Sequence, residues 1–234
     1  MQCKKCGSQN TVKNGRTKQG NQQYHCRACG VYTTTDVREQ QRQEKMAWVE
    51  KLHQERVSQR GIARLTGVSR PTIIAWLRKK AFRPIGRTLT PMMGRPEIEI
   101  DEQWSYVGSR QQQVWTWTAV ERLSCRVVGF AVGERSEESC RALWQSLPAD
   151  YRKRGVFYTD ELNIYRSVLP AKRHRPAPVG SGTLGWCDSL HAILRQHCAN
   201  LVRKTRSFSR DIQLHATRVR LVVDRHNAAC AGLW

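Results

Sequence analysis

The spacing of apolar positions changes near residue 97, and the change divides the chain. Upstream the period is helical. Met46, Val49 and Leu52 recur at three-residue steps, predicting an amphipathic helix over residues 38–58. In the next stretch, SQRGIARLTGVSRPTIIAWLRKK, Ile62, Ala63 and Leu65 share one short helix and Gly67 makes a turn. Ser69 caps a second helix with Pro71 in its first turn, and Ile73, Ile74 and Leu77 face inward. Residues 81–96 carry three Pro and two Gly with no period, which marks a linker.

Downstream the period shortens towards two. IEIDEQWSYVG, VWTWTAV and RVVGFAVG read as three strands of an antiparallel meander. SEESCRALWQSLP follows as a helix capped by Ser136, with Glu137 and Glu138 placed to favour its dipole. GVFYT is a short buried strand that ends at Asp160. Three strands, a helix and a strand ending in aspartate is the order of a ribonuclease-H-like core, in which the first and fourth strands lie side by side. That pairing brings Asp101 and Asp160 together although 58 residues separate them. The expected fold is multidomain α+β: a small amino-terminal module, a helix-turn-helix segment over 37–80, the linker 81–96, and a mixed α/β domain over 97–234.

The amino-terminal module is defined by cysteines. Cys3, Cys6, Cys26 and Cys29 form two C-x2-C pairs, with Gly7 and Gly30 directly after them. Each pair turns two thiolates towards one ion, and four sulfurs close a tetrahedral site, so the metal is a structural Zn²⁺. The residues between look like two short strands with turns at Asn14-Gly15 and Gln19-Gly20, a zinc ribbon over 1–36. So small a module lacks the core to fold without its metal. The other five cysteines, Cys125, Cys140, Cys187, Cys198 and Cys230, are scattered.

Charge sharpens the division. The chain of 234 residues carries a formal +21, distributed as +15 over 1–95, −2 over 96–170 and +8 over 171–234. Such an excess points to a polyanion, above all double-stranded DNA. The second helix would present Ser69, Arg70, Thr72, Ala75 and Arg78 to a major groove, with Lys79 and Lys80 near phosphates. Arg195, Arg203, Lys204, Arg206 and Arg210 form a second basic stretch, read as a helix-borne phosphate grip. Trp104, Trp115, Trp117 and Trp144 read as core, whereas Trp186 could stack on an unpaired base. No run is long and apolar enough for a membrane span or signal peptide, so a cytoplasmic, nucleoid-associated place and no membrane partner are expected.

Against this background the two aspartates stand in the only acidic third. Two carboxylates a few ångströms apart cannot both ionise cheaply unless cations lie between them. A pair of Mg²⁺ ions suits them, one activating an attacking oxygen and the other stabilising the leaving oxygen of a phosphoryl displacement. Taken singly, Asp160 could also cap a helix beginning at Glu161, and Asp101 could be an ordinary strand-end carboxylate. Glu102 and Glu161 are expected to point away or into solvent.

The strings DEQWSYVGSRQQQVWTWTAVERLSCRVVGFAVGERSEESCRALWQSLP, YTDELNIY and LVRKTRSFSRDIQLH resemble the insertion-sequence-one family of bacterial DDE transposases, and the cysteine module and helix pair fit the same family. The resemblance implies DNA transposition: binding of terminal inverted repeats, Mg²⁺-dependent strand cleavage and transfer to target DNA, and a homo-oligomer that holds two ends. Asp101 and Asp160 would be the first two carboxylates of a triad. The family's third is a glutamate opening a helix, in a context similar to E-R-x-N-x-x-L-R-Q. Here WCDSLHAILRQ puts Asp188 at that place, Ser189 at the arginine and His191 at the asparagine, while Leu194, Arg195 and Gln196 keep the pattern. Asp188 then either ligates metal or caps its helix. Two rival functions remain beside the transposase: a DNA-binding repressor with a decayed centre, and a nuclease of the same fold without strand transfer.

Overall fold

The computed structural model describes residues 1–34, 37–81, 94–202, 204–205 and 207–232, with the side chains of residues 37, 38, 80 and 81 excepted. The interior of the linker, residues 82–93, lies outside them. The chain is mixed α/β, with two sheets and eight α-helices among the described residues, and it forms two compact units, Met1–Val49 and Glu50–Trp234.

The first unit holds a three-stranded antiparallel sheet of β1 (Thr11–Arg16), β2 (Gln22–Cys26) and β3 (Tyr32–Thr34). Asn14-Gly15 is not a turn. Gly15 adopts φ +66° and the ladder slips between Lys13 and Arg16, so the pair forms a bulge within β1. The reversal comes at Thr17–Gly20, where the Gly20 N–H donates to the Thr17 carbonyl. β3 had no signal in the sequence, because three residues are too few to display a period. Helix α1 follows over Val37–Gln54.

In the second unit α2 (Gln59–Thr66) and α3 (Arg70–Ala81) are joined by a tight turn. The Ser58 hydroxyl accepts the Gly61 N–H, and Gly67, left-handed at φ +67°, returns its N–H to the Ala63 carbonyl. Ser69 Oγ accepts the Thr72 N–H at 3.4 Å, as expected of a cap. Ile62, Ile73 and Leu77 are buried, but Leu65 is 68% exposed. In a helix of eight residues Gly61 and Ile62 fill the narrow buried stripe, and Leu65 stands at its margin. Helix α3 packs along α8 (Ile212–Cys230), where Arg78 reaches the Asp211 carboxylate at 3.1 Å.

The larger sheet runs in the order β6-β5-β4-β7-β8. β4 (Glu97–Val107), β5 (Ser109–Glu121) and β6 (Val127–Gly133) are the antiparallel meander, and β5 begins earlier than its apolar run because Ser109 and Gln113 of the polar SRQQQ pair with Val107 and Tyr106, with a shift of register between them. β7 (Val156–Thr159) then pairs in parallel with β4, and β8 (His174–Pro176) in parallel with β7. Both faces are covered, which erases simple alternation along β4. Ile98, Ile100, Trp117 and Phe157 pack on one face with α4 (Glu137–Ser146), α5 (Ala149–Arg154) and α6 (Asn163–Val168). Val120 and Val127 pack on the other with α7 (Gly185–His197) and α8. Ser136 caps α4 through the Ser139 N–H. Among the described residues no helix is long and apolar enough to cross a membrane.

Burial separates the apolar residues of the α2–α3 pair. Ile62→Ala and Leu77→Ala should each cost about 2–5 kcal/mol in denaturant unfolding, whereas Leu65→Ala should change stability by less than about 0.5 kcal/mol.

Candidate active site

The amino-terminal cysteines converge. Cys3 Sγ lies 3.6 Å from Cys29 Sγ and Cys6 Sγ lies 3.7 Å from Cys26 Sγ, and all four sulfurs fall within 4.8 Å of one another. Bonds of about 2.3 Å to a tetrahedral ion require sulfurs about 3.7–3.8 Å apart, so the set fits Zn²⁺. The Cys6 and Lys5 N–H groups draw the Cys3 thiol down to about 6. Cys29 is lowered by the Val31 N–H, yet its hydrogen bonds to the other cysteines and its burial push it up to about 12. Four crowded thiols thus compete for charge, and a cation resolves the competition.

The second cluster grows from the β4–β7 ladder. Glu97 faces Val156 and Glu99 faces Tyr158, a constant offset of 59 positions. Carried two residues further, that offset sets Asp160 beside Asp101. One carboxylate oxygen from each of Asp101, Glu102 and Asp160 lies within 4.8 Å of the others. Asp101 and Glu102, adjacent in β4, point to opposite faces. Glu102 is therefore not in solvent: it is buried, takes the Tyr165 hydroxyl at 2.5 Å and pairs with Arg135 at 2.7 Å. Glu161 is exposed. Asp160 Oδ1 accepts the Leu162 N–H at 3.0 Å, and α6 begins only at Asn163, so this carboxylate closes a local turn as well as joining the cluster.

Asp101 lies on the face covered by α7. Its carboxylate is raised to about 7, first by burial and then by the charges of Glu102, Asp160 and Asp188. Burial likewise raises Glu102, opposed by its bonds to Tyr165 and Arg135. His191 Nδ1 stands 3.5 Å from Asp101 Oδ2, and its Nε2 lies 3.1 Å from Thr118 Oγ1. Burial, with Arg195 nearby, lowers this imidazole to about 4, so it is neutral at pH 7. Asp188 projects its charge towards Asp101 from the first turn of α7, outside the group of three, and is exposed. It does not cap that helix. The helix already includes Gly185, and the Asp188 N–H is spent on the Leu184 carbonyl.

The cap comes from Glu99, a residue the sequence did not single out. Its Oε2 accepts the N–H groups of Trp186 and Cys187 at 2.9 and 3.1 Å, while Oε1 takes Arg122 Nε at 3.0 Å. Arg122 also donates to the Thr183 carbonyl and lies over the Tyr158 ring. Glu99 thereby fixes where α7 starts, and so where Asp188 and His191 stand. The available signal was position: Glu99 is two residues before Asp101, hence on the same face.

The expected DNA contacts have varied surroundings. Arg70 and Lys79 are exposed on α3; Ser69 and Thr72 bond to each other at 2.8 Å, and Arg78 is engaged by Asp211. Arg195 is exposed on α7 and Lys204 is exposed beyond it, whereas Arg203 and Arg206 lie outside the described residues. The second basic stretch is not one helix: α7 ends at His197, a 3-10 turn spans Ala199–Leu201, and α8 begins only at Ile212. Tyr106 Oη donates to the Thr205 carbonyl and the Gly108 N–H to the Ser209 carbonyl, tethering that chain to the β4–β5 hairpin. Trp117 is fully buried, Trp115 and Trp144 pack on the core, and Trp186 is 44% exposed.

Carboxylates on β4 and just past the end of its parallel neighbour β7, in a strongly basic chain, define a candidate metal-dependent phosphoryl-transfer centre. Residues 97–228 match the family model described as IS1 transposase. The iso-IS1n InsB protein of Shigella dysenteriae is 30% identical over 129 residues, covering 55% of this chain and 94% of that protein. The IS1 4 InsB protein of Escherichia coli strain K12 is 36% identical over 140 residues, covering 58% and 80%. This chain belongs to the IS1 transposase family. Among solved structures, a chain of a simian T-cell lymphotropic virus intasome in complex with a PP2A regulatory subunit aligns at TM-score 0.37 and 13% identity, over 73% of this chain and 66% of that one, a likeness too slight to carry an argument.

Purified protein should contain one zinc per chain by elemental analysis, and Cys26→Ser should remove it. At the acidic cluster, the proton on Asp101 competes with a divalent cation. An acid raised from 3.8 to about 7 keeps its proton in the folded, metal-free protein after the unfolded chain has lost its own. Stability of that state therefore falls as pH rises from about 4 to about 7 and levels off above. Calorimetric titration should accordingly show Mn²⁺ bound about tenfold more weakly at pH 6 than at pH 8.

Proposed function

We propose that the protein is a DNA transposase whose ribonuclease-H-like domain, residues 97–234, cleaves and joins DNA strands with Mg²⁺ held by Asp101, Asp160 and Asp188. The observation that carries this reading is the parallel β4–β7 pairing, which supports Asp160 standing beside Asp101 with a shared set of carboxylate oxygens. The raised Asp101 favours the same view, since such crowding is relieved by a cation. Two Mg²⁺ ions would supply a polarised nucleophile and a stabilised leaving oxygen.

The chain's own residues do the positioning. Glu102, locked by Arg135 and Tyr165, adds negative charge from the opposite face while its bonds keep it from displacing Asp101. His191, neutral and set against Thr118, faces Asp101 and limits its rotation. Asp188 approaches from α7 on the foundation that Glu99 provides. Aspartate is one methylene shorter than the family's glutamate, so this third arm relies on the placement of the helix.

The zinc ribbon (1–36) and the helix-turn-helix segment (37–80), joined by the linker 81–96, would recognise double-stranded DNA at the element's inverted repeats. Arg70 and Lys79 on α3 are the exposed cations that support this. Arg195, Arg203 and Lys204 would grip phosphates nearer the acidic cluster. Two ends must be held at once, so the working form is a homo-oligomer on DNA, in the cytoplasm at the nucleoid.

The test uses labelled inverted-repeat DNA with Mg²⁺ or Mn²⁺. The protein should nick the end and join it to target DNA; Asp101→Asn and Asp160→Asn should each lower cleavage by at least about 10³-fold while DNA affinity holds within about twofold. Asp188→Asn should lower cleavage likewise. Binding without cleavage by the wild type, restored by Asp188→Glu, would instead identify a decayed, repressor-like protein. Cleavage without joining would identify a nuclease.

A further inference from the structure

A second site lies away from the acidic cluster. The start of α2, the first residue of α3 and the chain beyond α7 enclose a cavity of about 470 Å³, within the range that accepts a nucleotide-sized group. Among the described residues its lining includes Arg56, Arg60, Arg70 and Arg218, and no aspartate or glutamate. Four guanidinium groups around one cavity repel one another, and for Arg218, the one that is largely buried, the lack of a counter-charge is costly. Arg56, Arg60 and Arg70 make no ion pair among the described residues, and Arg218 has only the neutral Ser209 hydroxyl, at 3.2 Å. Burial already pulls Arg218 below the usual guanidinium range, and burial together with Arg218 lowers His53, also in the lining, to about 4.

The uncharged donors agree with the cations. Gln59 lines the cavity, and its side-chain nitrogen is buried with no acceptor. Ser58 takes the Gly61 N–H, but the N–H groups of Gln59 and Arg60, at the start of α2, have no acceptor within the helix. What this arrangement lacks is an anion with several acceptor oxygens.

We propose that this cavity is a phosphate-binding pocket that takes a backbone phosphate, with its flanking sugar, from the DNA strand bound by the protein. This rests on the DNA-transposase reading for its ligand, and it adds an anchor point that joins α2 and α3 to the segment following α7. A free phosphate compound would present the same chemistry, so the test has an arm for each source.

Arg56 and Arg60 are exposed, so Arg56→Gln/Arg60→Gln should fold as the wild type does. A second double variant, Lys153→Gln/Lys172→Gln, removes equal charge elsewhere. DNA binding by the full chain, without added divalent metal, is followed by anisotropy across salt concentrations. The pocket variant should reduce the slope of log affinity against log salt by about 1–2, close to 0.9 for each phosphate no longer neutralised; the control should keep the wild-type slope. In the second arm pyrophosphate, at ionic strength matched with chloride, should raise the melting temperature of the wild type and the control but not of the pocket variant. If the wild type binds and cleaves DNA while the pocket variant matches it in both arms, the pocket is overturned and the transposase reading stands. If the wild type ignores DNA but pyrophosphate stabilises it through these arginines, the pocket stands with free phosphate as its ligand, and the DNA reading falls.

Discussion

Parallel pairing of β4 with β7 is the constraint on which the candidate centre depends. Parallel neighbours cannot be joined by a hairpin, so the chain must cross over the sheet between them. Here that crossover is α4 and α5, and their burial against Ile98, Ile100, Trp117 and Phe157 holds the two strands in place. A one-residue slip would turn one aspartate to the opposite face from the other. The core on one side of the sheet therefore secures the geometry of the carboxylates where β7 ends beside β4.

On the other side the dominant force is electrostatic. Glu99, almost fully buried, answers two needs at once: Arg122 compensates its charge, and its second oxygen accepts the first free N–H groups of α7. Helix starts favour a carboxylate in just this place. The same helix carries Asp188 and sets His191 against Asp101, so one buried ion pair governs where both residues stand. The raised Asp101 records the cost of the arrangement without a cation. A proton and a divalent cation would therefore compete for this carboxylate near neutral pH.

Much of this was legible in the sequence, and the reasons are specific. The CxxC pairs, the Ser69 cap, the Gly67 turn and the meander all depend on local chemistry, which a sequence displays directly. Asp101 and Asp160 could be paired because each ends or interrupts an apolar run whose order implied adjacent strands. What stayed hidden depended on tertiary partners. Glu102 looks like a surface residue until Arg135 and Tyr165 close over it. Glu99 is one acid among several until α7 lands on it. Leu65 fits an apolar stripe that a two-turn helix is too short to bury. The Arg56–Arg218 cavity draws on residues more than 160 positions apart, beyond any local pattern.

Asp101, Asp160 and Asp188 are proposed to share a divalent-cation centre. Fe²⁺ substituted for Mg²⁺, with ascorbate and peroxide, cuts the backbone next to the ion it occupies. Cuts should cluster beside Asp101 in β4, beside Asp160 after β7 and in the first turn of α7, all suppressed by excess Mg²⁺ and by Asp101→Asn. Cutting confined to the amino-terminal cysteines, or at β4 and β7 with α7 untouched, would contradict a shared centre.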